Sequence, residues 1–135
     1  MASFSDYAEN KILDHAFGDG SWTSPTVYLA LCTVVPTDAS TGSTITEATY
    51  TGYARLIINA SDMSAASSGS KTNSSALTFA ACTASSSTIV GFAVCDSATT
   101  GAGNVIMWGT VTSKVIDTSN TPATVAASAL VATLD

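Results

Sequence analysis

The chain has 135 residues and a formal net charge of −6, with 46% hydrophobic and only 10% charged residues. Its four basic residues stand singly, so they cannot neutralise several neighbouring phosphates, and this excludes a nucleic-acid partner. There is no run of 18 apolar residues and no secretory signal pattern, which predicts a protein without a membrane partner that is made and stays in the cytosol. The basic residues are Lys11, Arg55, Lys71 and Lys114.

The first predicted element is an amphipathic helix at about residues 5–17. Asp6, followed three residues later by Glu9, has the pattern of a reciprocal N-cap. Gly18 stands where glycine often adopts the left-handed conformation that ends a helix. We expect the apolar face to pack on a β-sheet, because its residues recur at helical spacing. They are Ala8, Ile12, Leu13, Ala16 and Phe17.

The β body, at about residues 26–134, is predicted to consist of short strands separated by Ser- and Thr-rich segments. Val27–Val34 is apolar on both faces, as expected for a central strand that the helix covers on one side. Gly91 indicates a bulge or a close backbone approach within a second apolar strand. The other predicted strands are Tyr53–Ile58, Leu77–Ala80, Thr88–Cys95, Val105–Val111 and Val125–Leu134.

Two long polar segments, Pro36–Thr51 and Ser61–Ser75, contain almost no large aliphatic residue and are predicted to be surface loops. Fixing their backbone costs about 1–2 kcal/mol per residue, so we expect contacts with a partner to offset that cost. A third polar segment, Asp96–Asn104, is predicted to be a hairpin connection. The whole pattern predicts a mainly β fold, a compact antiparallel sandwich or barrel-like domain with one N-terminal α-helix, as a single domain at 1–135.

No catalytic, metal-binding or cofactor-binding residue is predicted. His15 is the only histidine, and no second His or Cys stands four residues after it to form a metal-binding pair. Carboxylates such as Asp38 and Glu47 fall in polar segments and are predicted to be solvated rather than paired for acid–base catalysis. Two glycosylation sequons, which begin at Asn59 and Asn73, are interpreted as ordinary turn sequence. These observations predict a protein that is not an enzyme.

The cysteines and aromatic residues are predicted to serve mainly in packing. The three cysteines show no C-x-x-C spacing, and each lies in or beside an apolar run, so we expect them to be reduced and buried: Cys32, Cys82 and Cys95. Three aromatic residues are the best candidates for an exposed platform that stacks on sugars, because two lie in loop sequence and one opens a strand. They are Trp22, Tyr50 and Tyr53.

Several segments occur in an order that is similar to a known family. They read FSDYAENKILDHAFG at 4–18, SPTVYLALCT at 24–33, GYARLII at 52–58, and TLD at the end of a closing alternating segment. In these segments the chain resembles the small virion proteins of tailed bacteriophages, which are described as tail-fibre-like or head-decoration proteins. The resemblance implies a non-enzymatic structural protein of the virion.

Two roles agree with that resemblance. The first is a capsid decoration, or cement, protein that is assembled in the host cytoplasm and lies on the capsid exterior. Its expected partners are the major capsid protein and further copies of itself, in a homotrimer. The alternative is a tail-fibre-like or receptor-binding component of the virion. The cement role is favoured because fibre shafts usually show repeats, and this chain has none.

Overall fold

A computed structural model describes residues 2–134, and in this range the protein is mainly antiparallel β with one α-helix. The principal sheet has five strands in the order β1-β7-β6-β2-β3, and two short ladders pair β4 with β9 and β5 with β8. The strands are β1 (Ala2–Phe4), β2 (Val27–Cys32), β3 (Leu56–Ile58), β4 (Ser70–Thr72), β5 (Leu77–Thr78), β6 (Ser87–Cys95), β7 (Val105–Ile116), β8 (Thr124–Val125) and β9 (Val131–Thr133); the helices are α1 (Asp6–Phe17) and a 3₁₀ turn (Ala60–Asp62).

The larger part of the core lies between one face of the principal sheet and the short ladders. Leu29 and Leu31 of β2 contribute to it from the sheet, and Phe79 and Leu130 contribute from the covering segments. This arrangement confirms the predicted mainly β sandwich with an N-terminal helix. Met1 and Asp135, at the ends of the predicted domain, lie outside the described residues.

The second face of the sheet carries small side chains. Pro36–Thr51 covers this face: Ile45 packs on it, and Asp38 Oδ1 accepts a hydrogen bond of 3.0 Å from Trp108 Nε1. The segment is therefore held by contacts within its own chain, although a separate partner was expected to order it. The small residues are Ala30, Cys32, Ala93, Cys95 and Val105.

The three cysteines are free and buried, as predicted. Burial is the main reason why the pKa of Cys32 rises to about 12 and that of Cys95 to about 11. The thiolate is the reactive form, so both thiols are poor nucleophiles at neutral pH. They act as small apolar residues that let the covering loop approach the sheet.

Helix α1 is attached to the sheet through its first turn. Its N-cap is Ser5 and not Asp6 as predicted: Ser5 Oγ accepts from the Ala8 amide at 3.3 Å and donates to the Val105 carbonyl. Ser5 and Ala8 are fully buried, and Ser5 follows directly on β1, whose Ala2 pairs with Gly109. The buried Ser5 hydroxyl is hydrogen-bonded both to the helix and to the sheet, and it therefore fixes the residue at which the helix begins.

The rest of α1 does not pack on the sheet, and that prediction is wrong. Ile12 is half-buried, but every residue from 13 to 21 is exposed. One face of the sheet is covered by Pro36–Thr51 and the other by the segments of the short ladders, and the later turns of α1 remain exposed. Gly18 does end the helix as predicted, with a φ of 86° and an amide that bonds to Asp14.

The predicted strands that contain long apolar runs are confirmed as β2, β6 and β7. Strand β7 is longer than predicted, and the closing segment divides into β8 and β9. Gly91 lies at a register shift between β6 and β7, as predicted, and an added Cβ would approach Pro36 Cδ to 3.1 Å. Ser61–Ser75 contains β4, which pairs with β9. This second polar segment is thus also ordered by its own chain.

Asn73 holds the end of the chain in place. Its side chain donates to the carbonyls of Ser75 and Ala126, each at 2.8 Å, and accepts from the Leu130 amide at 2.8 Å. The residue is fully buried. Although Asn73 opens a glycosylation sequon, its side chain is committed to these three hydrogen bonds.

Candidate assembly surface

The outer side of α1 presents apolar side chains to solvent. Leu13 is 54% exposed and Phe17 is 81% exposed, and residues four apart in a helix lie next to each other on one side. Glu9 precedes Leu13 by four residues and Asp14 precedes Phe17 by three, so two carboxylates flank the apolar pair. We call Glu9, Leu13, Asp14 and Phe17 the outer stripe. A stripe of this kind suits contact with another apolar surface.

An apolar groove opens at one end of the sandwich. It consists of two adjoining cavities of about 270 Å³ and 220 Å³ that have five lining residues in common, Val27, Ile58, Met63, Lys71 and Ile106. Trp22, Pro25 and Ala60 line its outer part. We call these eight residues the end groove. Lys71 is its only charged residue, and in the chain that the structure describes, residues 2–134, Lys71 forms no salt bridge.

A buried ion pair holds two loops of the protein together. Arg55 Nη2 lies 2.7 Å from Glu47 Oε1, and both side chains are almost fully buried. The Arg55 guanidinium also donates to the carbonyls of Ser97, Ala102 and Gly42 at 2.8, 2.9 and 3.2 Å. We call this set the arginine cluster. One side chain thus joins the loop after β2 to the connection between β6 and β7.

Gly42 lets these two segments meet. Its amide donates to the Gly103 carbonyl at 2.9 Å, and a Cβ added to Gly42 would lie only 2.0 Å from the Ala102 carbonyl oxygen. Any side chain at this position would force the two backbones apart. The close approach brings the Ala102 carbonyl within reach of Arg55.

Burial disfavours the charged form of Glu47, but hydrogen bonds from Arg55 and Tyr53 outweigh it, and the pKa of Glu47 falls below its usual 4.5. Because the unfolded chain then binds this proton more readily, the contribution of Glu47 to stability is present above about pH 4.5 and is lost as the pH falls through the folded pKa. We expect the free energy of unfolding to decline from pH 5 to pH 3, and Glu47→Gln to reduce that decline.

Denaturant titrations at several pH values measure the effect. Asp117→Asn is the matched control, because hydrogen bonds from Asn120 and Ser119 also lower the pKa of Asp117, but this carboxylate lies in a turn and accepts from amide groups rather than from a buried cation. The prediction fails if the free energy of unfolding of Glu47→Gln declines as steeply as that of the wild type while that of Asp117→Asn declines less. The pH dependence would then come from Asp117 and not from Glu47.

The structure separates the three aromatic candidates for a binding platform and leaves His15, for which no binding role was predicted, on the surface. His15 is exposed, and its Nδ1 accepts from the Trp22 amide at 3.4 Å. Tyr50 is only 2% exposed, and the Tyr53 hydroxyl donates to Glu47 at 2.7 Å, so neither ring belongs to an exposed platform. Trp22 is half-buried beside the end groove. The prediction that the aromatic residues serve mainly in packing holds for Tyr50 and Tyr53, and the alternative of an exposed platform of three aromatic residues is wrong.

The carboxylates in loops were predicted to be solvated, which is wrong for Glu47. Asp96 and Asp117 do hold turns: Asp96 accepts from the Asn104 amide at 2.7 Å, and Asp117 accepts from the Ser119 amide at 2.8 Å. Among residues 2–134 there is no group of three His, Cys, Asp or Glu residues that could hold a metal ion. No helix in the same range is long and apolar enough to cross a membrane.

The comparisons with known proteins identify a family for this chain. The family model described as "Podophage GP4 fiber I protein gp80" matches residues 3–133, which includes α1, the end groove and the arginine cluster. No curated protein matches the chain. The resemblance to phage virion proteins is thereby confirmed, and the match favours the tail-fibre-like description. The chain is a structural protein of the bacteriophage virion and belongs to the family of Podophage GP4 fiber I protein gp80.

Proposed function

We propose that this protein is a non-enzymatic subunit of the phage tail fibre, held on the outside of the virion as a homotrimer. The match to a fibre family over residues 3–133 carries the proposal. It extends from β1 through the helix and the whole sandwich, so the likeness is to the complete fold and not to a shared fragment. The chain has no internal repeat, and we therefore assign it the role of a compact unit in the fibre and not of a shaft.

The contacts of the long loops favour the fibre role over the cement role. The cement prediction relied on Pro36–Thr51 and Ser61–Ser75 for contacts with the capsid or with neighbouring copies. Pro36–Thr51 packs on the small-residue face of the sheet and accepts a hydrogen bond from Arg55. Ser61–Ser75 contains β4, which pairs with β9. The apolar side chains left open to a partner include those of the outer stripe on α1.

Immunogold electron microscopy of intact virions tests the proposal. An antibody raised against the purified protein is expected to label the tail, and an antibody against the major capsid protein serves as the control that labels heads. Gold confined to the heads would contradict the fibre role. It would support capsid decoration, with the major capsid protein as the partner.

A further inference from the structure

We propose that the outer stripe of α1 docks into the end groove of a second copy of this chain. The inference rests on the proposed function, because it names the surface through which fibre subunits associate. The contact is head to tail, since the stripe and the groove are different surfaces. Each copy therefore offers one donor surface and one acceptor surface, and a ring closes when the rotation between neighbours allows it.

Within residues 2–134, the apolar side chains of the stripe are left largely exposed. Ser5 and Ala8 bind the helix to the sheet on one side, and Leu13 and Phe17 project from another. Phe17, at 81% exposed, is the most exposed large apolar residue of the described chain. An aromatic ring can bury about 150–250 Å², so placing it in a cleft removes much apolar surface from water.

The charges of the two surfaces are complementary. Glu9 and Asp14 flank the apolar pair, and Lys71 is the one charged residue that lines the end groove. Insertion of the stripe brings carboxylates towards an ammonium group that forms no salt bridge within residues 2–134. In a chain with four basic residues and a net charge of −6, exposed cations that could attract this acidic helix are few.

The positions of the two surfaces also favour a second copy as the occupant. Trp22, which lines the groove, donates its backbone amide to His15 Nδ1 of α1 at 3.4 Å, so the groove adjoins the helix that carries the stripe. A helix of 12 residues is only about 18 Å long, which makes a single contact small. Closure into a ring gives every copy two such contacts and strengthens the whole assembly.

Sedimentation of the purified full chain, from micromolar to 100 micromolar concentrations, tests the association. The wild type is expected to form a concentration-dependent oligomer. Leu13→Ser and Phe17→Ser are expected to raise the dissociation constant about 10-fold or more each. Val34→Ser is the matched control, because Val34 is 58% exposed but lies outside both surfaces, and it should associate as the wild type does. Thermal unfolding verifies that each variant is folded.

A mixing experiment tests the head-to-tail arrangement. Ala60→Glu fills the outer groove at an exposed position and adds a charge that repels the stripe. Phe17→Ser retains its groove and Ala60→Glu retains its stripe, so each variant alone should be largely monomeric, and an equimolar mixture should form 1:1 pairs. In addition, Lys71→Glu should weaken association, and Asp14→Lys in the same chain should restore it.

The inference is overturned if the wild type remains monomeric at 100 micromolar, if Phe17→Ser associates normally, or if the mixture does not pair. A monomer whose stripe binds another virion protein would give the first of these results. Failure here is distinguishable from failure of the fibre role. Gold on tails with a monomeric protein contradicts the docking and the homotrimer but not the place of the protein in the fibre, and gold on heads with the expected pairing contradicts only the fibre role.

Discussion

Arg55→Ala is expected to lower the free energy of unfolding by about 3–5 kcal/mol, the range seen when one partner of a buried ion pair is removed. The variant leaves the Glu47 carboxylate buried without its cation. It also removes the donor that the carbonyls of Gly42, Ser97 and Ala102 share. Chemical denaturation at pH 7 measures the change.

Lys114→Ala is the matched control for charge, because Lys114 is an exposed cation on β7, and its loss should change stability by about 0.5 kcal/mol or less. Arg55→Lys should recover only part of the stability, since an ammonium group cannot reproduce the planar fork that reaches Glu47 and three carbonyls. If Arg55→Ala unfolded within 1 kcal/mol of the wild type, the arginine cluster would not hold the loops.

Asn73→Ala is expected to lower the free energy of unfolding by about 2–4 kcal/mol, because each of three hydrogen bonds contributes roughly 0.5–1.5 kcal/mol. The change leaves the Leu130 amide and the carbonyls of Ser75 and Ala126 without their partner. Asn73→Asp should also be destabilised, since a carboxylate cannot donate to two carbonyls. Denaturant unfolding and protease sensitivity near residue 130 give the readout.

Asn59→Ala provides the control within the same chain. Asn59 also opens a sequon, but it is exposed, and its side chain bonds only to nearby Asp62. Its loss should cost less than about 1 kcal/mol. Equal effects at the two positions would refute the role of Asn73 in holding the C-terminal segment.

The elements that could be predicted from the sequence are those marked by a pattern of neighbouring residues. Apolar runs located β2, β6 and β7, and Gly18 located the end of α1, because each pattern depends on neighbouring residues. The side on which α1 packs could not be predicted in the same way. Leu13 and Phe17 show the same spacing whether they face the sheet or solvent, and the occupation of one sheet face by Pro36–Thr51 depends on long-range contacts.

The arginine cluster was missed for a related reason. Glu47 stands in a Thr-rich segment that looks solvated, and Arg55 appeared as one of four single basic residues. Their pairing depends on how the loop folds back over the sheet, and neither residue type nor spacing indicates it. A lone arginine within an apolar strand sequence is the one signal that could have prompted a search for a buried acidic partner.

The pairing of Ala2 with Gly109 has a consequence for biosynthesis. The ribosome must make more than 100 residues before β1 has a partner, which takes roughly 5–20 s at bacterial elongation rates. The Ser5 cap also waits, because the carbonyl that it bonds belongs to Val105. Throughout this interval the N-terminal segment, with its apolar helix residues, is unattached on the nascent chain. Seating of the helix is therefore one of the last events in folding, and premature association between polysomes is the corresponding hazard.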